Sequence, residues 1–352
     1  MKLRLTARPL VLALALALGL GACGGGGSSQ AGPPRDQPAI KVLSPFPPNG
    51  AFTAPMLYAA AKGSFDKHGV KVEITDGKTS LSVANAVAQG EADIGMVGSS
   101  VTAQVISRGG SLISIAQMYG KGSYGLIVPT DSSVRTLNDV AGKQVIESAG
   151  SPETVLLPAT IQKLGAAGTS ALNVDATVKG STYSSGRGEA LATSIPFFLP
   201  IVTQGRPSRA IPFTDADVQF PDYSIVTRPD FLRERPDEVR KFLTAFFESF
   251  NAAGQDLAGV GKALVELRPS VTNPDLQVAQ FEAYQSFLCS SNQAGHPVGW
   301  HSDVDWAEGL AIFKEFGGLT GPIDDLGKFY TNEFFDGPNA VSAKLCGAGA
   351  GS

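Results

Sequence analysis

Apolar and polar residues alternate along the chain in two rhythms, one of period two and one of period near 3.6. Residues 39–43, 70–74 and 92–97 follow the first, as strands do; residues 53–62 and 80–89 follow the second and stop at Gly63 and Gly90. The succession then repeats. Strand-like runs at 124–128, 144–147 and 175–178 are interleaved with a helical turn at 136–140 and a helix at 151–164 that ends on Gly165. After a stretch rich in Pro and Asp, residues 223–227 predict a strand and 236–253 an amphipathic helix. Helices dominate the remainder, most clearly at 278–288 and 305–316. Strands alternating with helices predict mostly parallel sheets flanked by helices, with ligand chemistry in the loops beyond the strands' carboxyl ends. Two such stretches followed by returning helices predict two lobes, with residues 39–125 and 226–346 in the first and 126–225 in the second.

The first residues break this rhythm. Lys2, Arg4 and Arg8 precede an apolar run over 9–20, followed by small residues, the layout of an export signal. The run is short of the ~20 residues that span a bilayer. Leu20, Gly21, Ala22 and Cys23 resemble the bacterial lipobox, which implies removal of residues 1–22 and lipidation of Cys23. An ordinary cleavage site that happens to precede a cysteine is the alternative. Residues 23–38, with a four-glycine run, serines and prolines, are too poor in apolar side chains to pack and read as a flexible linker.

A formal net charge of −4 gives no electrostatic footprint for nucleic acid. Cys289 and Cys346 form one disulfide in an oxidising compartment, or stay as two buried thiols. His68, His296 and His301 have no second ligand at metal spacing, and neither a GxxxxGK[ST] phosphate loop nor a GxSxG nucleophile elbow occurs. The pattern points to no cofactor, no metal and no enzyme.

Four motifs, in order, carry a family resemblance. Ala59, Gly63, Phe65, Gly69, Val70, Val72 and Glu73 fit an A-x-x-x-G-x-F-x-x-x-G-[VL]-x-V-E signature. Gly90, Ala92, Asp93, Ile94 and Gly95 fit a-G-x-a-D-i-g; Leu137, Asp139, Gly142 and Lys143 fit L-x-D-L-x-G-K; Pro236 and Val239 fit x-P-x-x-V. Over residues 40–255 the chain resembles the periplasmic solute-binding proteins of ABC importers, in the NMT1/THI5-like branch that serves sulfonates, taurine, nitrate and thiamine pyrimidine precursors. The resemblance implies a two-lobed periplasmic-binding-protein fold of type II, each lobe a mostly parallel sheet flanked by helices. It further implies an exported, lipid-anchored monomer that hands a small solute to permease and ATPase subunits on other chains. The residues themselves, apart from the family, are also turn and helix-stop residues.

In such a fold the lobes close on a solute and loops after strands make the contacts. Phe46 and Phe52 offer apolar walls and Asn49 a two-way hydrogen bonder, or else the segment is a Pro-stiffened connection. Gly98, Ser99 and Ser100 open a helix whose amino end suits an anion or carbonyl oxygen, or serve as plain helix caps. Gly150, Ser151 and Thr154 mirror them in the second lobe, with Glu153 read as a first-turn carboxylate facing water. Tyr119, Tyr183 and Tyr223 are amphipathic contact candidates. Arg187 is a ligand cation or a surface charge. The segment around 190–200 lacks the family's acidic strand entry and leaves the ligand most open. Serines at two helix starts place an organic sulfonate or carboxylate first, and the aromatic residues keep a pyrimidine as the alternative.

Overall fold

The computed structural model describes residues 38–45, 50–341 and 343–347. The expected signal, Cys23, the linker, Phe46 and Asn49 lie outside them. Pro38–Ser352 is one compact unit. No helix among the described residues is long and apolar enough to cross a membrane.

Within this unit ten strands run in chain order as β1 (Ile40–Ser44), β2 (Val72–Asp76), β3 (Ile94–Gly98), β4 (Ile113–Gln117) and β5 (Tyr124–Pro129), then β6 (Gln144–Glu147), β7 (Ser170–Asn173), β8 (Ala190–Ser194), β9 (Ser208–Pro212) and β10 (Tyr223–Thr227). They build two five-stranded sheets, ordered β2-β1-β3-β10-β4 and β7-β6-β8-β5-β9. β1 is parallel to β2 and β3, whereas β10 is antiparallel to β3 and β4. The second sheet repeats the plan, with β6 parallel to β7 and β8, and β5 antiparallel to β8 and β9. Each sheet therefore has four strands in one direction and one reversed, the reversed strand being the one next to a crossing between sheets. The chain crosses once over residues 118–123 and returns over 213–222. The divisions expected after residues 125 and 225 fall inside β5 and β10, each of which is a whole member of one sheet.

Helices cover both faces of the sheets, and the alternation within β3 shows why its sequence is apolar throughout. Ile94 and Met96 face a core with Ile225, Phe242 and Phe246. Val97 faces the opposite way, with Val83, Val87 and Val226. Phe242, Phe246 and Phe250 recur every four residues on the helix Pro236–Ala253 and all point inward, the Phe246 and Phe250 rings stacking at 5.7 Å. Full burial of each such ring contributes about 1.5–3 kcal/mol.

Two expectations change. Residues 175–178 are a turn, because Asp175 Oδ1 accepts the Thr177 N–H at 2.8 Å and its hydroxyl at 2.5 Å; the strand lies earlier, at β7. The helix Asp303–Phe316, expected to return to the first lobe, places Trp306, Leu310 and Phe313 in a core with Leu126 and Leu156 of the second-sheet region. Several short elements, β4 and β9 among them, were not legible in the pattern. A disulfide joins Cys289 to Cys346, with 5.7 Å between their Cα atoms.

Candidate ligand-binding cleft

The carboxyl ends of β3, β6 and β8 meet the amino ends of the two reversed strands along one cleft. Two adjoining chambers occupy it, of about 450 and 520 Å³, and share Lys78, Tyr124, Ser151, Pro152, Ala176 and Tyr223. The first sheet supplies Gly98 and Tyr223, the helix Ser99–Ser107 that follows β3 supplies Ser100, and the second sheet supplies Tyr124, so both halves of the molecule line the same space. A wider depression of about 1030 Å³ lies by Lys163, Asp217 and Glu315 and carries none of the expected ligand contacts.

The first chamber brings together Gly98, Ser100, Gly150, Ser151 and Tyr223, five of the residues expected from sequence. Tyr223 also lines the second chamber with Phe52. Their rings stack at 3.7 Å and 25°, and Tyr284 meets Phe52 edge-on at 5.0 Å. Ser80 holds the rim, its Oγ accepting the Gly98 N–H at 3.2 Å and donating to the Tyr223 phenol at 3.4 Å.

Four expected contacts lie elsewhere. Ser99 is turned into the core, its Oγ 2.8 Å from that of Ser224 and accepting from Gln117 at 3.2 Å. Tyr119 is fully buried behind the cleft wall, its ring 4.6 Å from that of Tyr284. Thr154 donates its hydroxyl to the Ser151 carbonyl at 2.7 Å and so stabilises the loop from behind. Tyr183 packs against Leu191 of β8 and lines neither chamber, its phenol 2.9 Å from Ser208 Oγ and its ring beneath Arg206. Arg187 is exposed.

Glu153 does not face water. It is 1 % exposed, paired with Lys179 Nζ at 2.5 Å, and its carboxylate also accepts the Ser148 N–H and its own. Burial pushes its carboxyl up, and Lys179 works against that rise. The amino end of the helix Glu153–Leu164 is thus already occupied by the chain's own carboxylate, which removes one of the two anion seats expected from sequence.

The residues that sequence reasoning missed carry most of the polarity. Asp222, buried beside Tyr223, accepts the hydroxyl of Ser123. Burial raises its carboxyl to about 6, against the opposing pull of hydrogen bonds from Ser123 and Tyr284. Burial, and then the Asp222 charge, push the Tyr223 and Tyr284 phenols up, so both stay neutral hydroxyls. Ser194 Oγ lies 2.7 Å from the Tyr284 phenol. Lys179, Thr193, Phe197 and Phe198 complete the second chamber. Asp222 had one available signal, an acid next to a proline at the entry of a predicted strand. Among the described residues, no cluster of three His, Cys, Asp or Glu side chains has the placement to hold a metal.

A model of the NMT1/THI5-like family matches residues 51–256. The chain is 22 % identical over 298 residues to 4-amino-5-hydroxymethyl-2-methylpyrimidine phosphate synthase THI11 of Saccharomyces cerevisiae, covering 81 % of this chain and 84 % of that one. Among solved structures it is similar to the alkanesulfonate-binding protein SsuA from Xanthomonas axonopodis pv. citri bound to MOPS, with a TM-score of 0.60 and 16 % identity over 84 % of this chain and 99 % of that one. The periplasmic aliphatic sulphonate binding protein SsuA from Escherichia coli gives a TM-score of 0.64 at 14 % identity, over 89 % of this chain and 97 % of that one. At such identities the likeness to these structures is one of fold: the two-lobed α/β fold of periplasmic binding proteins.

Proposed function

The chain belongs to the NMT1/THI5-like family, and on that premise we propose that it is the extracytoplasmic solute-binding lipoprotein of an ABC importer. It captures a flat aromatic or heteroaromatic solute in the interlobe cleft and delivers it to permease and ATPase subunits on other chains. Cys23 carries the lipid that holds it at the membrane, and its role is capture, not catalysis.

The observation that carries the reading is the stacked pair Phe52 and Tyr223 beside the buried carboxylate of Asp222. Aromatic faces suit a planar ring, and a buried carboxylate suits a ligand N–H donor. A pyrimidine fits both demands. The organic anion, first on sequence, becomes the second reading. Lys78 at the shared rim favours it, but Lys179, the buried cation among the described lining residues, is already neutralised by Glu153.

Thermal unfolding of the purified protein against a panel of aminopyrimidines, aromatic sulfonates and carboxylates, taurine and nitrate tests this. A solute at a hundred times its dissociation constant adds about 2.7 kcal/mol. Stabilisation by ring compounds bearing N–H donors is expected; stabilisation by taurine or nitrate and by no ring compound would reverse the ranking. Covalent turnover of a pyrimidine precursor would replace capture by catalysis.

A further inference from the structure

We propose that the second chamber of the cleft is a distinct subsite for an uncharged polar group of the solute, a carboxamide or a hydroxyl, received by Thr193 and by the Lys179–Glu153 pair. The proposal rests on the solute-capture reading of the cleft and adds a selection against negative charge.

Thr193 is the first indication. Strand alternation sends Ala190 and Ala192 into the core with Leu126, and Leu191 and Thr193 to the opposite face. There Thr193 lines the chamber, 0 % exposed, and its Oγ1 has no hydrogen-bond partner in the protein. Buried hydroxyls without partners are uncommon, and one at a cavity wall marks a place where a ligand atom completes the bonding.

The ion pair decides what that atom belongs to. Lys179 carries three N–H donors, of which one is directed at Glu153, and its ammonium lies 4.7 Å from the centre of the Phe198 ring. Glu153 is held by Lys179 and by two backbone N–H groups, so it is not displaced without leaving those donors unmet. The pair is neutral as a unit. A carboxylate or sulfonate entering beside it would place a negative charge in a buried site next to Glu153, with Lys78 only at the exposed rim to offset it, which is costly. A carboxamide or hydroxyl oxygen accepts a remaining Lys179 N–H and the Thr193 hydroxyl without adding charge. Phe52, Phe197 and Phe198 supply the apolar walls that hold the ring to which such a group is attached.

Calorimetric titration with nicotinamide, nicotinate, pyridine-3-sulfonate and 3-methylpyridine, on the wild-type protein and on Thr193→Val, tests the assignment. Nicotinamide is expected to bind at least tenfold more tightly than nicotinate or the sulfonate. Thr193→Val, which keeps shape and removes the hydroxyl, is expected to weaken nicotinamide about tenfold, to leave 3-methylpyridine unchanged, and to unfold at no lower temperature than the wild type. Thr193→Ser should restore the amide preference. Tighter binding of either anion, or an equal loss for amide and methyl compounds in Thr193→Val, overturns the subsite. If no member of the series binds while other ring solutes stabilise the protein, the subsite falls and solute capture stands. If no solute of any kind binds, both fall.

Discussion

Ser123 and Asp222 stand on the two chain crossings, and the serine hydroxyl donates to the carboxylate between them. The same carboxylate sits at the wall of the cleft, so one bond ties the two crossings together beside the proposed ligand site. The backbone reinforces the tie: Asp222 N–H donates to the Tyr119 carbonyl at 2.9 Å, and Ser99 N–H donates to the Asp222 carbonyl at 2.7 Å. A rotation of one sheet against the other about these crossings would therefore be coupled to whatever contacts Asp222.

Burial raises the Asp222 carboxyl to about 6 in the folded protein, against an ordinary value near 3.9. Between these values the folded chain holds a proton that the unfolded chain has lost. The contribution to stability is full below about pH 4 and is lost as pH rises through about 6, on the order of 2–3 kcal/mol. Asp222→Asn removes this dependence. The difference in unfolding free energy between wild type and variant should change across pH 4 to 6 and be flat above 7; a difference that is constant with pH would show that Asp222 titrates normally.

His301 opposes that slope. It is fully buried between Ser114 Oγ, 2.6 Å from Nε2, and Asn332 Oδ1, 2.9 Å from Nδ1. The order of bonds is that of a hydrolase triad, but 0 % exposure keeps solvent and substrate from it. Burial lowers its imidazole to about 3. The unfolded chain takes up a proton near pH 6.5 that the folded chain refuses, so this contribution is present above about 6.5 and is lost as pH falls towards 3. In Asp222→Asn, where the compensating acid is gone, stability should fall steadily from pH 7 to pH 4 in denaturant titrations. A flat profile would mean that His301 accepts a proton while folded.

The pair Lys179 and Glu153 should respond asymmetrically to substitution. Lys179→Met leaves a carboxylate buried without its partner and is expected to cost about 3–5 kcal/mol, as is Glu153→Leu. The double variant removes both charges and should recover most of that loss in chemical unfolding. Additive losses would show that the two residues do not act as a pair.

These groups also mark where the sequence could be read and where it could not. Gly63, Gly90 and Gly165 announced helix ends because a left-handed stop needs glycine, and their φ values of 63°, 81° and 64° are of that kind. Strand β10 was legible because all five of its residues are buried and apolar or small. Pairing between distant charges has no such local signature. Lys179 and Glu153 are 26 residues apart, and a lone acid in the first turn of a helix ordinarily faces water. Tyr183 failed for the complementary reason: its phenol meets Ser208 and its ring packs against Leu191, away from the cleft, and periodicity alone does not say which residue of a short helix reaches a ligand.

The lipid anchor is tested by Cys23→Ser. The proposed lipidation predicts that the variant moves from the membrane fraction to the soluble exported fraction and still binds solute. Retention in the membrane fraction would remove Cys23 as the anchor.

Gly120 carries the last prediction, because it lies on the first crossing where a side chain has no room. A Cβ there would stand 1.7 Å from Gln293 Oε1. Gln293 cannot easily withdraw: its Oε1 accepts the Ser290 N–H at 2.9 Å and its Nε2 donates to the Trp300 carbonyl at 2.5 Å. The Gly120 N–H in turn donates to the Leu288 carbonyl at 2.9 Å, next to the disulfide at Cys289. The crossing is therefore clamped by the disulfide-stapled C-terminal segment. Gly120→Ala should cost about 1–3 kcal/mol by overpacking, read as a lowered denaturant midpoint with an unchanged slope. Gln293→Ala in the same background removes the clash together with two hydrogen bonds, so it should cost less there than in the wild type. Equal costs in both backgrounds would show that the crossing shifts to admit the methyl group, and that the clamp on it is looser than these bonds imply.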